Sequence, residues 1–201
     1  EGKCWLMIIQ KIEVSGVEEI EQRLGAFKSK TPLVLSRAIN RAVSNIRKNM
    51  GKEVPQRYYV SSGTVRGTIR TLNASKSSLS GAVVSSGSPI ALSKFKVSPN
   101  RGVKRTKKGF SPGVYSAGVE KSGGLKPLSG DPKAFIADMK SGHTGVWNRV
   151  SSKRLPIKQL YGPSVPQMAK NEEIMVKINK EAGETLEKRI NAEVNNILRK
   201  G

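Results

Sequence analysis

The carboxy-terminal stretch 171–200 constrains the fold most, because it predicts one long amphipathic helix with no proline and a single glycine. Its apolar residues recur at steps of four with one step of three, which places them on one helix face. They are Ile174, Ile178, Ala182, Leu186, Ile190, Val194 and Ile197. Asn171, followed by two glutamates, supplies a cap and negative charge at the amino end, where the helix dipole favours both. Such a helix can dock on its own sheet or on a neighbouring subunit, and we favour its own sheet.

A second helix is predicted over residues 17–50. Thr31-Pro32 supplies a cap followed by proline at the first helical position, and Gly51 is the predicted end. One apolar stripe runs along the segment at helical spacing. Its members are Leu35, Ile39, Ala42, Ile46 and Met50. Four cations fall away from the stripe and predict a basic outer face: Arg37, Arg41, Arg47 and Lys48.

Strands are predicted in the other patterned segments. Residues 5–14 combine an apolar run with alternation and end at Ser15-Gly16. Residues 57–98 are rich in Thr, Ser, Val and Ile and are interrupted by glycines, which predicts an antiparallel meander with strands at 64–70, 79–85 and 90–97. A hairpin is predicted with strands at 135–139 and 145–150 and its turn at 141–143. The Pro-rich stretch 156–168 is interpreted as an irregular connector.

Together these elements predict an α+β fold in which an antiparallel β-sheet is packed on one face by two long α-helices. We interpret residues 1–201 as a single domain. Residues 99–132 hold seven glycines and four prolines with only scattered bulky apolar residues. This composition predicts a long basic Gly/Pro-rich loop or extended hairpin that leaves the packed core.

Positive charge is concentrated in the middle of the chain. The formal net charge is +21 at pH 7, and repulsion at this level is relieved by a polyanion, of which DNA is the obvious one. Between residues 61 and 130 there are twelve cations and one acid, Glu120. The candidate DNA contacts lie in this region: Arg101, Lys104, Arg105, Lys107, Lys108, Lys121 and Lys126. The same charges also fit a solvated loop without a dedicated partner, or an acidic protein surface.

The sequence has no pattern typical of catalysis, cofactor binding or metal binding. The single histidine, His143, lies in a Gly-flanked turn, and the single cysteine, Cys4, leaves no second thiol for a disulfide or a zinc module. A site built on Asp131 and Asp138 is the one carboxylate alternative left open. Gly118 to Gly124 is followed by Leu-Lys-Pro instead of a helix, so we expect no nucleotide-binding loop. We therefore predict no enzyme activity and no cofactor.

Membrane association is not expected either. The longest strongly apolar run, Trp5 to Ile9, is far shorter than the roughly 20 residues that span a bilayer. The run is also too short for the core of a signal peptide, so a cytoplasmic location is the expectation from composition alone.

Three stretches occur in a distinctive order. The first is RAINRAVSNIRKNM at 37–50, followed by PQRYYVSSGTVRGTIR at 55–70. The second is GSPIALSKFKVSP at 87–99, and the third and most specific is FIADMKSGHTGVWNRVSSKRLPIKQLYGPSVPQM at 135–168. In this order they resemble the minor tail protein Z family of tailed phages, and the resemblance covers residues 10 to 200.

The resemblance implies a structural virion protein, a tail completion component at the head-proximal end of the tail near the head–tail joint. It implies assembly in the host cytoplasm, a homo-oligomeric ring that is often a hexamer, and contacts with the tail terminator and the head-tail connector. The basic residues would then contact or position the end of the double-stranded DNA in the channel. The alternative function is a free, sequence-independent nucleic-acid-binding protein of the nucleoid type. Tyr161 and Pro163 are candidate subunit contacts, since the glycine and proline there fix a turn.

Overall fold

The computed structural model describes residues 6–100, 115–128, 134–139 and 141–200. The α-helices in these ranges are α1 (Val17–Leu24), α2 (Thr31–Arg57), α3 (Ser62–Gly67), α4 (Val165–Ala169) and α5 (Glu172–Lys200). Short 3-10 turns cover Gly25–Lys30 and Leu92–Lys94. The strands are β1 (Leu6–Ile12), β2 (Ile69–Leu72), β3 (Gly81–Gly87), β4 (Ile90–Ala91), β5 (Lys96–Ser98), β6 (Ser116–Gly118), β7 (Lys126–Pro127), β8 (Phe135–Asp138), β9 (Thr144–Arg149), β10 (Ile157–Gln159) and β11 (Tyr161–Gly162).

Helices α2 and α5 pack on each other along their lengths. Every member of the predicted α2 stripe is buried, and Ile178 of α5 is fully buried against it. Ile174, Ala182 and Val194 extend the buried face of α5 in both directions. At its amino end the Asn171 side chain accepts a hydrogen bond from the Ile174 amide, as a cap does. The apolar faces of both long helices are therefore as predicted, but α5 packs mainly on α2, where its own sheet was the favoured docking surface.

Helix α2 differs from the prediction at both ends. It continues through Gly51 to Arg57, and the missing side chain at Gly51 gives room to Arg66, whose Nε would lie 2.8 Å from a Cβ there. A 3-10 turn separates α2 from α1, and Thr31 is the first residue of α2 instead of its cap. No side chain caps this helix, so Pro32 in the first turn is the local feature that favours its start.

The strands form small antiparallel sheets, and the predicted α+β class is confirmed. Among the described residues there are four sheets, ordered β1-β3-β2, β10-β9-β8, β11-β4 and β5-β6-β7, where a single sheet was predicted. The first sheet lies on α2 through its central strand β3. Gly81 allows this close approach, because a Cβ there would lie 2.6 Å from the Ile39 Cγ2 and 2.8 Å from the Val43 Cγ2.

Three segments form different elements from those predicted. The alternating stretch 64–70 is α3 followed by β2, because Ser61 caps a helix there and accepts a hydrogen bond from the Thr64 amide at 3.1 Å. The 3-10 turn at Leu92–Lys94 divides the predicted strand 90–97 into β4 and β5. The predicted connector 156–168 contains β10, β11 and α4, and a capping box of Ser164 and Gln167 starts α4.

Part of the glycine-rich region 99–132 is packed, contrary to the prediction. Its stretches 101–114 and 129–132 lie outside the described residues. Residues 115–128 contain β6 and β7, and both Tyr115 and Ala117 are buried in the core. The alternative of an extended hairpin is the one that fits this described part. The predicted hairpin farther along the chain is confirmed as β8 and β9.

Candidate nucleic-acid interface

The sheet of β5, β6 and β7 carries described basic residues of the middle region. Strands β5 and β6 pair antiparallel, with Lys96 opposite Gly118 and Ser98 opposite Ser116. Val97, between the exposed Lys96 and Ser98, packs against the core. Ser98 and Ser116 stand on either side of the stretch 101–114 in the sequence. The two described flanks of that stretch are therefore joined in one ladder.

The ring of Tyr59 lies at the centre of this surface. The Nζ of Lys96 is 5.1 Å from the ring centroid, and the Nζ of Lys121 is 5.9 Å from it. Cation–π contacts at exposed sites stabilise by about 0.5–1 kcal/mol. The Tyr59 amide donates to the Val119 carbonyl at 2.9 Å, which fixes the backbone beneath the ring. Lys94 lines the same shallow pocket, and we call Tyr59, Lys94, Lys96 and Lys121 the Tyr59–lysine cluster.

Gly118 allows the tyrosine to approach the sheet. A Cβ at this position would lie 3.3 Å from the Tyr59 Cε2. The same Cβ would be 2.6 Å from the carbonyl oxygen of Gly124, in the turn that follows β6. Gly124 has a φ of 61°, a left-handed conformation that favours glycine. Two glycines thus shape the backbone that supports the Tyr59–lysine cluster.

The one acid of the region, Glu120, is paired inside the structure. Its carboxylate lies 3.5 Å from the Arg57 Nε, and Arg57 also forms an ion pair with Glu173 of α5. Burial of Tyr58, together with its hydrogen bond to Glu120, raises the pKa of the Tyr58 hydroxyl. Glu120 is therefore engaged by Arg57 and Tyr58. Among the described residues, the lysines of the cluster have no carboxylate in an ion pair with them.

Comparison with known families matches nearly the whole chain. The family model of prophage minor tail protein Z (GPZ) covers residues 14–200. The chain belongs to this family. It is therefore a structural protein of a phage tail, and its place is the tail of the virion. No significant match to the chain is found among curated proteins or among solved structures.

Two of the predicted DNA contacts of this tail protein lie in the described residues. Lys121 belongs to the Tyr59–lysine cluster, and Lys126 is exposed on β7. The others lie outside the described residues: Arg101, Lys104, Arg105, Lys107 and Lys108. The sequence prediction left out Tyr59 and the two lysines of β5 and its preceding turn. The alternation Lys94-Phe95-Lys96 is the available signal for those lysines, since Phe95 is buried while both lysines are exposed.

The predicted subunit contacts lie near the start of α4. Tyr161 is 57% exposed, and its hydroxyl donates to the Gln159 Oε1 at 3.2 Å. Pro163 is half-buried. An exposed tyrosine is compatible with a subunit contact, which stays a prediction.

Of the residues considered for catalysis, Asp138 and His143 line one open cavity, and each has a neighbouring polar side chain as its partner. The His143 Nε2 lies 2.9 Å from the Gln159 Nε2, and the Thr144 hydroxyl donates to Asp138. Asp131 lies outside the described residues. Over the ranges that the structure describes, no group of three His, Cys, Asp or Glu side chains is placed to hold a metal ion. No helix in those ranges has the length and apolar character needed to cross a membrane.

Proposed function

We propose that this minor tail protein is a tail completion component at the head-proximal end of the tail, near the head–tail joint. In this role it forms part of a homo-oligomeric ring around the channel and turns the Tyr59–lysine cluster toward the DNA end. The supporting observation is the placement of two ammonium groups on one tyrosine, beside a carboxylate that Arg57 already holds. The neighbours proposed in the neck are the tail terminator and the head-tail connector.

The chemistry of the cluster suits DNA that must later move. Lysine ammonium groups are compact hydrated charges on flexible stems, and they contact phosphates without selecting a base. Duplex DNA carries about one negative charge per 1.7 Å of helix axis, so a lysine pair meets phosphates in any sequence. Such contacts hold a DNA end in place and still allow the DNA to leave.

The position of the cluster also connects it to the densest run of charge. Residues 101–108 follow β5 closely in the sequence and contain five cations. Strand β5, which holds Lys96, ends three residues before this run in the sequence. The proposed role requires no bond to be made or broken, so we propose no catalytic residue and no cofactor.

Duplex binding by the purified protein tests the DNA contact. The test variant is Lys96→Gln with Lys121→Gln, and the matched control is Lys188→Gln with Arg199→Gln. Both variants remove two exposed charges. The control residues lie in the second half of α5, away from its first turn, where Glu173 pairs with Arg57 near the cluster. Affinity is measured for a blunt duplex at several salt concentrations.

We expect the test variant to lower the slope of log affinity against log salt by about 2, since each lost phosphate contact removes about 0.9. The control should change the slope by less than half of that amount. Equal losses in the two variants would show that only net charge matters and would remove the Tyr59–lysine cluster from the proposal. Circular dichroism of both variants checks that the fold is intact.

Location in the particle tests the structural part of the proposal. Antibody labelling of purified virions should mark the head-proximal end of the tail at a fixed copy number. Particles assembled with the Lys96 and Lys121 variant should keep their joints but hold the DNA end less securely. A protein found only on intracellular DNA, and never in the particle, would instead support a nucleoid-type role.

A further inference from the structure

The hairpin of β9 and β10 ends in a loop that projects into solvent. Arg149 and Ile157 are the last ladder partners before the loop, and the Val150 amide donates to the Pro156 carbonyl at 3.1 Å. Every residue of 150–156 is exposed. Val150 and Leu155 are each 64% exposed, so two aliphatic side chains stand free at the end of one hairpin. We call residues 150–156 the hairpin tip.

The hairpin tip carries positive charge and no acid. Lys153 and Arg154 lie between its two aliphatic residues, and Lys158 follows in β10. The sequence contains no Asp or Glu from residue 139 to residue 171. Within the described part of the chain, none of these three cations forms an ion pair. A surface that fits this tip needs an apolar floor with an acidic rim.

A groove with those properties lies between α1 and α5, with a volume of about 300 Å³. Its apolar lining residues are Val14, Ile20, Leu186 and Ile190. Its acidic lining residues are Glu13, Glu19 and Glu187. Arg23 is the one cation of the lining and donates a hydrogen bond to Asn191 at 2.9 Å, while Lys11 pairs with Glu13 at one end. The rim therefore stays acidic overall, with Glu19 and Glu187 outside any ion pair among the described residues.

The groove is an exception in a strongly basic chain. Residues 13–24 contain four Glu and one Arg, and residues 181–187 contain three Glu and no cation. The groove is lined by residues 13–23 on one side and by residues between Gly183 and Asn191 of α5 on the other. No residue of the hairpin tip lines the groove of its own molecule. The tip and the groove are thus complementary in charge and apolar character, and the tip does not occupy the groove of its own molecule.

We infer that the occupant of the groove is the hairpin tip of a second copy of this chain. Leu155 and Val150 would lie on the apolar floor, and Lys153 and Arg154 would face the glutamates of the rim. Opposite charges at such a contact increase the rate and specificity of association, and the apolar side chains supply burial. The contact also explains how copies with a net charge of +21 approach each other, because it joins a positive patch to the negative one.

The contact is head-to-tail, because the two surfaces differ. Each copy offers one tip and one groove, so successive contacts propagate around a ring when the rotation closes. The inference therefore rests on the proposed ring, and it identifies the two surfaces through which neighbouring copies in that ring contact each other. It adds a subunit contact separate from Tyr161 and Pro163.

Sedimentation of the purified protein without DNA tests the inference. The tip variant is Arg154→Glu and the groove variant is Glu187→Arg, with Leu155→Ser as an uncharged tip variant. Arg70→Glu is the control for the tip variant, since it makes the same change of charge as Arg154→Glu at an exposed residue of β2. Arg70 is neither part of the tip nor a lining residue of the groove. The wild type and the control should associate as concentration rises, and each of the three variants should weaken self-association at least tenfold.

A mixture of the tip and groove variants gives the decisive result. The Arg154→Glu copy keeps its groove and the Glu187→Arg copy keeps its tip, so an equal mixture should form dimers that neither variant forms alone. A wild type that stays monomeric at every concentration, an oligomer that persists in both variants, or a mixture that stays monomeric would each overturn the inference. Failure of the DNA contact leaves these sedimentation results unchanged, so the two proposals fail separately.

Discussion

At the scale of single residues, the buried polar groups at the end of α2 decide how the candidate interface is charged. Tyr58 is buried and directs its hydroxyl to Glu120, while Arg57 joins Glu120 to Glu173. A polar group left without a partner in such a place costs about 1–3 kcal/mol. Tyr58, Arg57 and Glu120 therefore interact with one another, and the neighbouring lysines remain available for a ligand.

The raised pKa of Tyr58 gives a titration that can be observed. Burial and the Glu120 hydrogen bond favour the protonated hydroxyl in the folded chain, so its pKa lies above the ordinary value of 10.0. Because the folded pKa is raised, the stability linked to this proton is complete below pH 10 and is lost as pH rises through the folded pKa. Absorbance at 295 nm should show a late titration step that Tyr58→Phe removes. Tyr161→Phe should leave that late step in place, and a late step that persists in Tyr58→Phe would contradict the assignment.

At the scale of elements, the sequence predicted those parts whose signal is local and long. The α5 stripe has seven members and packs as expected, because one misplaced residue cannot shift so long a period. The stretch 64–70 was predicted wrongly because its seven alternating residues fit a strand, while the Ser61 cap starts the short helix α3 there. The contact of Tyr59 with Lys96 and Lys121 joins three distant segments, and no local pattern encodes it.

The sheet of β5, β6 and β7 makes a prediction of its own at Gly118. In Gly118→Ala the new Cβ would lie 2.6 Å from the Gly124 carbonyl oxygen, so the turn between β6 and β7 must move. We expect a loss of about 1–3 kcal/mol in the free energy of unfolding, as for other overpacked positions. Gly123→Ala is the matched control, since its Cβ would make only ordinary contacts, with the Lys126 Cε at 3.7 Å and the Glu120 carbonyl oxygen at 3.9 Å. Urea denaturation measures both variants, and equal stabilities would show that the turn relaxes freely.

At the scale of the whole molecule, the two buried carboxylates of the described residues, Glu53 and Glu193, are held in internal ion pairs. Glu193 is buried and binds Arg37 at 3.0 Å and Arg189 at 2.6 Å, and Glu53 binds Lys177 at 2.7 Å across the α2–α5 contact. Each such pair removes an acid from the outer surface. The remaining exposed charge is predominantly positive, and the groove between α1 and α5 brings Glu13, Glu19 and Glu187 together. This distribution suits the two proposed contacts, one with DNA at the Tyr59–lysine cluster and one with another copy of the chain at the groove.

This charge distribution predicts how stability depends on salt. Repulsion among the exposed cations destabilises the folded chain, and salt screens it over about 10 Å at 0.1 M. The internal pairs of Glu193 and Glu53 are shielded by burial of their carboxylates and should respond less.

We therefore expect the melting temperature to rise between 0.05 and 0.5 M sodium chloride, measured by calorimetry on the Arg154→Glu variant to exclude self-association. Duplex DNA at low salt should raise it further, because a polyanion neutralises many cations at once. A melting temperature that falls with salt would mean that the internal ion pairs stabilise the fold more than surface repulsion destabilises it. In that case the exposed positive charge would not by itself favour binding of a polyanion.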